Sequence, residues 1–196
     1  MCGITGLWNF DERPIDSAQF AQFTDSLAHR GPDGRGLYFD TESYLGLGHR
    51  RLEIFGLGKA GTQPMSYANE RYWIVHNGEI YNFLELRVEL EKLGHRFRSN
   101  TDTEIILASY LEWGEDCQFR FNGMWAFALW DRRECTLFLS RDRFGVKPLF
   151  YRYTNASFVF ASELKAFVTL PGYLRPTFDK EMIAHMKNME ATERTL

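Results

Sequence analysis

MWAFALWDRRECTLFLSRD, residues 124–142, decides the fold. Two apolar runs, 124–131 and 135–142, flank the polar turn Arg132–Glu134. They read as a β-hairpin, whose strands pair antiparallel. A second hairpin follows, with LFYRY (149–153) and SFVFASE (157–163) on either side of Thr154 and Asn155. Successive side chains of a strand face opposite ways. WAFALW (125–130) and FVFA (158–161) are apolar at nearly every position, so these strands are covered on both faces. Two sheets packed together, each with helices on its outer face, satisfy that pattern.

Upstream of the hairpins the period changes. DSAQFAQFTDSLAHRG (16–31) puts Phe20, Phe23 and Leu27 on one helical face, with Asp16 or Ser17 as N-cap and Gly31 past the end. NFLELRVELEKLG (82–94) offers Asn82 as a cap, Glu85 three residues on and Gly94 as the stop. DTEIILASYLEWG (102–114) repeats the form, with Asp102 as candidate cap and Gly114 as the stop. The first ten residues, YLGLGHRRLEIF (44–55) and RYWIVHNGEI (71–80) are strand-like, and the last two are separated by the turn-rich stretch 56–70. The mixed-charge tail 178–196 reads as a solvated helix.

A chain of 196 residues with 16% aromatic side chains has ample material for a core, which excludes a disordered reading. A net charge of -3 gives no basic footprint for nucleic acid. No apolar run is long enough to span a membrane, and no signal-peptide pattern opens the chain. The 3 cysteines, Cys2, Cys117 and Cys135, make no disulfide framework, which fits a reducing cytoplasm. GLGKAG lacks the ending of a P-loop, the 5 histidines have no zinc-like spacing, and no G-x-S-x-G occurs.

Four places carry candidate chemistry. Cys2 follows the initiator methionine; once Met1 is cleaved, its α-amine, with an ordinary pKa of about 7.7–8.0, can act as base for its own thiol. Equally, Cys2 reads as a small buried hydrophobe. HRRL (49–52) places two arginines on a strand, where only one can face a given site; a surface basic pair and a carboxylate clamp are both open. HNGEIYN (76–82) reads as a turn, or as an Asn amide beside a Gly N–H, two donors for an oxyanion. Asp102 reads as an N-cap or as a carboxylate for a ligand ammonium group.

Taken together, the motifs resemble one family. CGITG (2–6), HRGPDG (29–34), HRRLEI (49–54), QP (63–64), NGEIYN (77–82), TDTE (101–104), FNGMWAFALWD (121–131), RDRFGVKPLFY (141–151) and FASELKA (160–166) occur in the order seen in class II glutamine amidotransferase domains, N-terminal-nucleophile hydrolases. The likeness is nearest to the glutaminase domain of glutamine-hydrolysing asparagine synthetases and runs from Cys2 to about Pro171. It implies an α+β fold, a four-layer αββα sandwich of two mainly antiparallel sheets. It implies that Cys2 is the nucleophile, that Arg51 rather than Arg50 holds the glutamine α-carboxylate, and that Asp102 holds the α-ammonium. It implies an oxyanion hole of the Asn77 side chain and Gly78 N–H, with further glutamine contacts from Glu79 and the backbone near Ile54. HRGPDG resembles a loop at the pocket mouth, with a role for Arg30.

The resemblance implies glutamine as substrate, no metal and no cofactor in this half-reaction, and a cytoplasmic protein. ATP and Mg belong to a synthetase domain whose Ser-Gly-Gly-x-Asp loop does not occur in these residues. Residues 1–175 are expected to form the glutaminase domain and 176–196 a connecting helix or tail, with the synthetase domain supplied in cis or in trans; a homodimer is compatible with this. The acceptor expected is aspartate, although the same glutaminase chemistry can serve another acceptor. While Met1 remains, the nitrogen of Cys2 is an amide, and the rival reading is a non-catalytic module that binds glutamine or a partner.

Overall fold

In the computed structural model the described residues are 1–53 and 61–171. Ile54 and the tail 176–196 therefore lie outside the described residues. The strands are β1 (Gly3–Asn9), β2 (Gly34–Asp40), β3 (Leu45–Arg51), β4 (Met65–Tyr67), β5 (Tyr72–Ile80), β6 (Gly123–Asp131), β7 (Thr136–Arg141), β8 (Phe150–Tyr153) and β9 (Ser157–Ala161). The helices are α1 (Ser17–Asp25), α2 (Phe83–Lys92) and α3 (Asp102–Trp113), with 3₁₀ turns at Gly114–Arg120 and Leu164–Thr169.

One sheet has the order β2-β3-β1-β9-β8 and the other β4-β5-β6-β7. Every pairing is antiparallel. Both hairpins read from the sequence form. In the β6–β7 turn the Asp131 carboxylate accepts from the Arg133 and Glu134 N–H groups, and Arg71 grips it with two guanidinium nitrogens. In the β8–β9 turn the Thr154 hydroxyl accepts from Ala156 and Ser157.

Alternation along β6 shows why the apolar runs are continuous. Trp125, Phe127 and Leu129 pack under α2 and α3 with Leu86, Leu90, Ile105 and Ile106. Ala126, Ala128 and Trp130 face the other way, against Ile4, Leu47 and Phe160 of the five-stranded sheet. Val159 and Ala161 turn from that sheet toward Phe20, Phe23 and Leu27 of the α1 segment. The layers therefore run helix, sheet, sheet, helix, with a core at each of the three interfaces.

The helix ends depart in detail from the sequence reading. Asp16 caps α1 through the Ala18 and Gln19 N–H groups, as expected. The helix stops at Asp25, short of Gly31, and the chain turns through 26–30. Gly94 and Gly114 follow α2 and α3 with φ of 98° and 60°, the left-handed region that glycine enters without strain. Asn82 does not cap α2: its amide bridges Arg120 O and Asn122 N, tying the helix start to β6. Asp102 is the first residue of α3 and not its cap, which is Thr101. β2 and β4 lie in stretches without a strand signal, because both are edge strands of mixed composition.

Candidate active site

Cys2 directly precedes β1, and β1 lies between β3 and β9 inside its sheet. A chain end that would ordinarily fray is thus fixed on both sides. Ser162 completes the hold: its Oγ accepts from Ile4 N at 2.9 Å and its N–H donates to Ile4 O at 2.9 Å. Arg30 donates from Nε to Cys2 O at 2.9 Å and from Nη1 to Glu163 at 2.9 Å. Burial raises the Glu163 carboxyl, but hydrogen bonds from Arg30, His29 and Lys165 outweigh it and bring its pKa down to about 2. The Cys2 thiol is half-buried, 3.4 Å from the Leu52 N–H and 3.7 Å from Leu52 O.

The two arginines of β3 separate as strand geometry requires. Arg50 turns to Gly31 O and Asp25. Arg51 turns into the cavity described below and stands 3.4 Å from Glu53. Asn77 and Gly78 lie near the end of β5, paired with Ala126 and Trp125 of β6. Asn77 is only 2% exposed, yet its Nδ2 has no hydrogen-bond partner among the described residues. A buried amide without an acceptor is costly, which sets this group apart from its neighbours. Gly78 is required by its own sheet: a Cβ there would strike the Met124 carbonyl and the Trp125 backbone.

Asp102 presents Oδ2 to the Ile80 N–H at 2.9 Å, joining the start of α3 to the end of β5. Next to it, the buried Glu104 accepts from the Arg98 and Ser99 N–H groups and fixes the approach to the helix. Sequence reasoning passed over Glu104, although a Glu at the third helical position is the known partner in a capping box.

Cys2, Arg51, Asn77, Gly78, Glu79 and Asp102 all line one cavity of about 280 Å³. The structure thus brings these six together from the segment before β1 and from β3, β5 and α3, whereas Arg30 stays off the cavity lining and holds the Cys2 carbonyl instead. Met1 lies on the same wall. Among the further residues that line the cavity are His49, Gln63, His76, Thr103 and Lys147, none of them singled out as a site residue beforehand. Burial, together with the neighbouring His76, Arg50 and Arg51, pushes His49 down to about 3, against the raising effect of its bond to the His76 carbonyl. Burial likewise lowers His76, with Lys147 acting the same way and Asp102 opposing. Both imidazoles are therefore neutral. Their signal was present in the sequence as lone polar residues ending apolar strands, in HRR and HNG.

Among the described residues no group of three or more His, Cys, Asp or Glu is arranged to hold a metal ion, and no helix is long and apolar enough to cross a membrane.

The geometry can be set against known proteins. The family profile described as glutamine amidotransferase domain matches residues 1–195. Asparagine synthetase [glutamine-hydrolyzing] 3 of Bacillus subtilis is 44% identical over 174 residues, covering 87% of this chain and 28% of that protein. Asparagine synthetase [glutamine-hydrolyzing] 1 of the same organism is 40% identical, covering 93% of this chain and 29% of the relative. A putative asparagine synthetase [glutamine-hydrolyzing] 2 of Methanocaldococcus jannaschii is 40% identical, covering 87% and 35%. The chain thus spans about a third or less of the length of these relatives. In three dimensions the fold matches the glutamine phosphoribosylpyrophosphate amidotransferase from B. subtilis, with TM-score 0.68 and 22% identity over 86% of this chain and 43% of that one. The chain belongs to the glutamine amidotransferase domain family, and among its relatives it resembles glutamine-hydrolysing asparagine synthetases.

Proposed function

We propose that the chain hydrolyses glutamine to glutamate and ammonia with Cys2 as nucleophile, once Met1 has been removed. The observation that carries this is the convergence on one cavity of a thiol, a cation, an anion and a buried amide donor without a partner among the described residues. Glutamine is a zwitterion with a remote amide, so one fixed charge of each sign orients its head. Arg51 takes the α-carboxylate and Asp102 the α-ammonium. Glu79 contacts the bound amino acid; the backbone near Ile54, outside the described residues, is assigned the same role on the resemblance alone. The amide carbon then faces the Cys2 thiol.

The free α-amine of Cys2 accepts the thiol proton as sulfur attacks. The tetrahedral oxyanion is stabilised by Asn77 Nδ2 and the Gly78 N–H; one such donor is typically worth about 2.7–4 kcal/mol in the transition state. The amine returns the proton to the departing ammonia, leaving a thioester that water hydrolyses to glutamate. None of these steps uses a metal or cofactor.

The domain reading is 1–175 for this glutaminase, with 176–196 leading toward a synthetase part, in cis or in trans, that uses ATP and Mg and passes the ammonia to aspartate. The names of the relatives support that acceptor. A cytoplasmic setting fits the free thiols Cys2, Cys117 and Cys135. A second reading rests on Met1, which lines the cavity: while it remains, the Cys2 nitrogen is not basic and the domain only binds glutamine.

The test is glutamate release with glutamine saturating, on a chain shown by intact mass to begin at Cys2. The processed chain should turn over, and Cys2→Ala should bind glutamine without releasing glutamate. A processed chain that binds glutamine and releases no glutamate would overturn the proposal.

A further inference from the structure

Gln63, His76 and Thr103 have no part in the mechanism above, yet they form a closed hydrogen-bond network on the cavity wall. The His76 N–H donates to Gln63 Oε1 at 2.6 Å, which fixes the orientation of the Gln63 amide. Gln63 Nε2 is therefore the donor to Thr103 Oγ1, at 3.3 Å. Thr103 Oγ1 stands 3.4 Å from Asp102 Oδ1 and 3.2 Å from His76 Nδ1. The hydroxyl has one proton, and the carboxylate is the stronger acceptor. The Thr103 proton thus goes to Asp102, and His76 Nδ1–H donates to Thr103. That arrangement uses the donor and both acceptor sites of the hydroxyl, and it places the proton of the neutral imidazole, the form burial favours, on Nδ1. His76 Nε2 is then a bare acceptor beside Gly78, without a partner among the described residues.

The network has a geometric consequence. Asp102 Oδ2 binds the β5 backbone at Ile80, and Thr103, through Gln63, binds it at His76. The first two residues of α3 are pinned to β5 at two points four residues apart. Asn77 and Gly78 lie between those points. The span from the Asp102 carboxylate to the Asn77–Gly78 donors is thereby held rigid from both sides.

Resting on the proposed glutaminase reading, we infer that Gln63, His76 and Thr103 are positioning residues that fix this span and so set the length of the amino-acid amide the cavity accepts. Glutamine and asparagine differ by one methylene between head group and amide. A methylene in a fitted pocket typically carries roughly 10–200-fold of discrimination. A rigid brace is what lets the cavity express that difference, since loosening it lets Asp102 follow the shorter ligand inward.

The experiment compares glutamine with asparagine as substrates of the chain that begins at Cys2. Thr103→Val keeps the shape of the side chain and removes the hydroxyl. It should raise KM for glutamine about tenfold with a smaller change in kcat. It should also narrow the ratio of kcat/KM for glutamine over asparagine severalfold, and Thr103→Ser should restore both. His76→Leu should shift the ratio the same way; if it fails to fold, the Thr103 pair still decides. A general loss of structure would lower both substrates together and leave the ratio unmoved, and that outcome overturns the inference, as does an unchanged KM in Thr103→Val. Calorimetric affinities of the two amino acids for Cys2→Ala and Cys2→Ala/Thr103→Val separate the two failures. If the wild-type chain turns over nothing but the affinity ratio still narrows, the glutaminase reading fails and the brace stands. If neither amino acid binds, both fail.

Discussion

Asn77 lines the cavity, and its buried amide nitrogen has no acceptor among the described residues. On the reading above the missing partner is the oxyanion, which exists only after attack. Interactions made only in the transition state act on kcat. Asn77→Ala should therefore lower kcat by about 10²–10³ with little change in KM for glutamine; an equal loss spread over KM would move Asn77 into ground-state binding. Arg51 and Asp102 act earlier. Arg51→Ala and Asp102→Ala should each weaken glutamine binding to Cys2→Ala by roughly 2–5 kcal/mol, read by calorimetry, because each leaves a ligand charge unmatched. At this scale the sequence was most informative. Cys2, Arg51, Asn77, Gly78, Glu79 and Asp102 were all named from motif and residue type, and the fold places them together. Gln63, His76 and Thr103 were not, because a hydrogen-bond network between strand and helix has no local pattern. Asp102 itself was half-read: instead of capping its own helix, its carboxylate accepts the Ile80 N–H of β5 across a layer and, with its other oxygen, the Thr103 hydroxyl.

Strand β1 and helix α3 decide where the reacting groups sit. The start of β1 is held by Ser162, whose hydroxyl accepts the buried Ile4 N–H. Ser162→Ala should cost about 1–3 kcal/mol in chemical denaturation, since a buried donor loses its acceptor. Gly78 shows a different constraint. A methyl group there collides with β6 backbone rather than with a flexible side chain. Gly78→Ala should destabilise the fold by about 1–3 kcal/mol or more and reduce glutamate release together, because β5 must move off β6 to admit it. The elements legible in advance were those with strong periodicity: both late hairpins, β1, β3, β5 and the bodies of the three helices. β2 and β4 escaped because an edge strand with one partner needs no sustained apolar alternation. Gly31 misled as a helix end because the α1 pattern through Leu27 continues in a turn that still buries its apolar side chains.

Across the whole molecule, four layers bury His49 and His76 as neutral groups between charged neighbours. In the unfolded chain both take up protons near their ordinary pKa of about 6.5. In the folded chain His49 stays neutral down to about 3, and His76 is lowered in the same direction. The unfolded state therefore binds more protons below pH 6.5. The stabilisation from keeping these groups neutral is complete above that pH and is lost as pH falls toward the folded values. Between pH 6.5 and 5.5 the loss from His49 should be about 1 kcal/mol, with His76 adding in the same direction, seen as a falling urea midpoint. His49→Gln, which keeps a donor for the His76 carbonyl, should show a shallower slope over that interval; an unchanged slope would mean that His49 does not drive it. The whole-molecule reading from sequence, two covered sheets with outer helices, followed from the doubly apolar runs of β6 and β9, whose two faces enter different cores.

On this mechanism the free amine of Cys2 is what makes the cavity an active site. This is tested most directly by glutamate release from two samples of the same chain, one beginning at Cys2 and one retaining Met1, each verified by intact mass. The prediction is turnover by the first and none by the second, with both binding glutamine. Equal glutamate release from the two samples would contradict it.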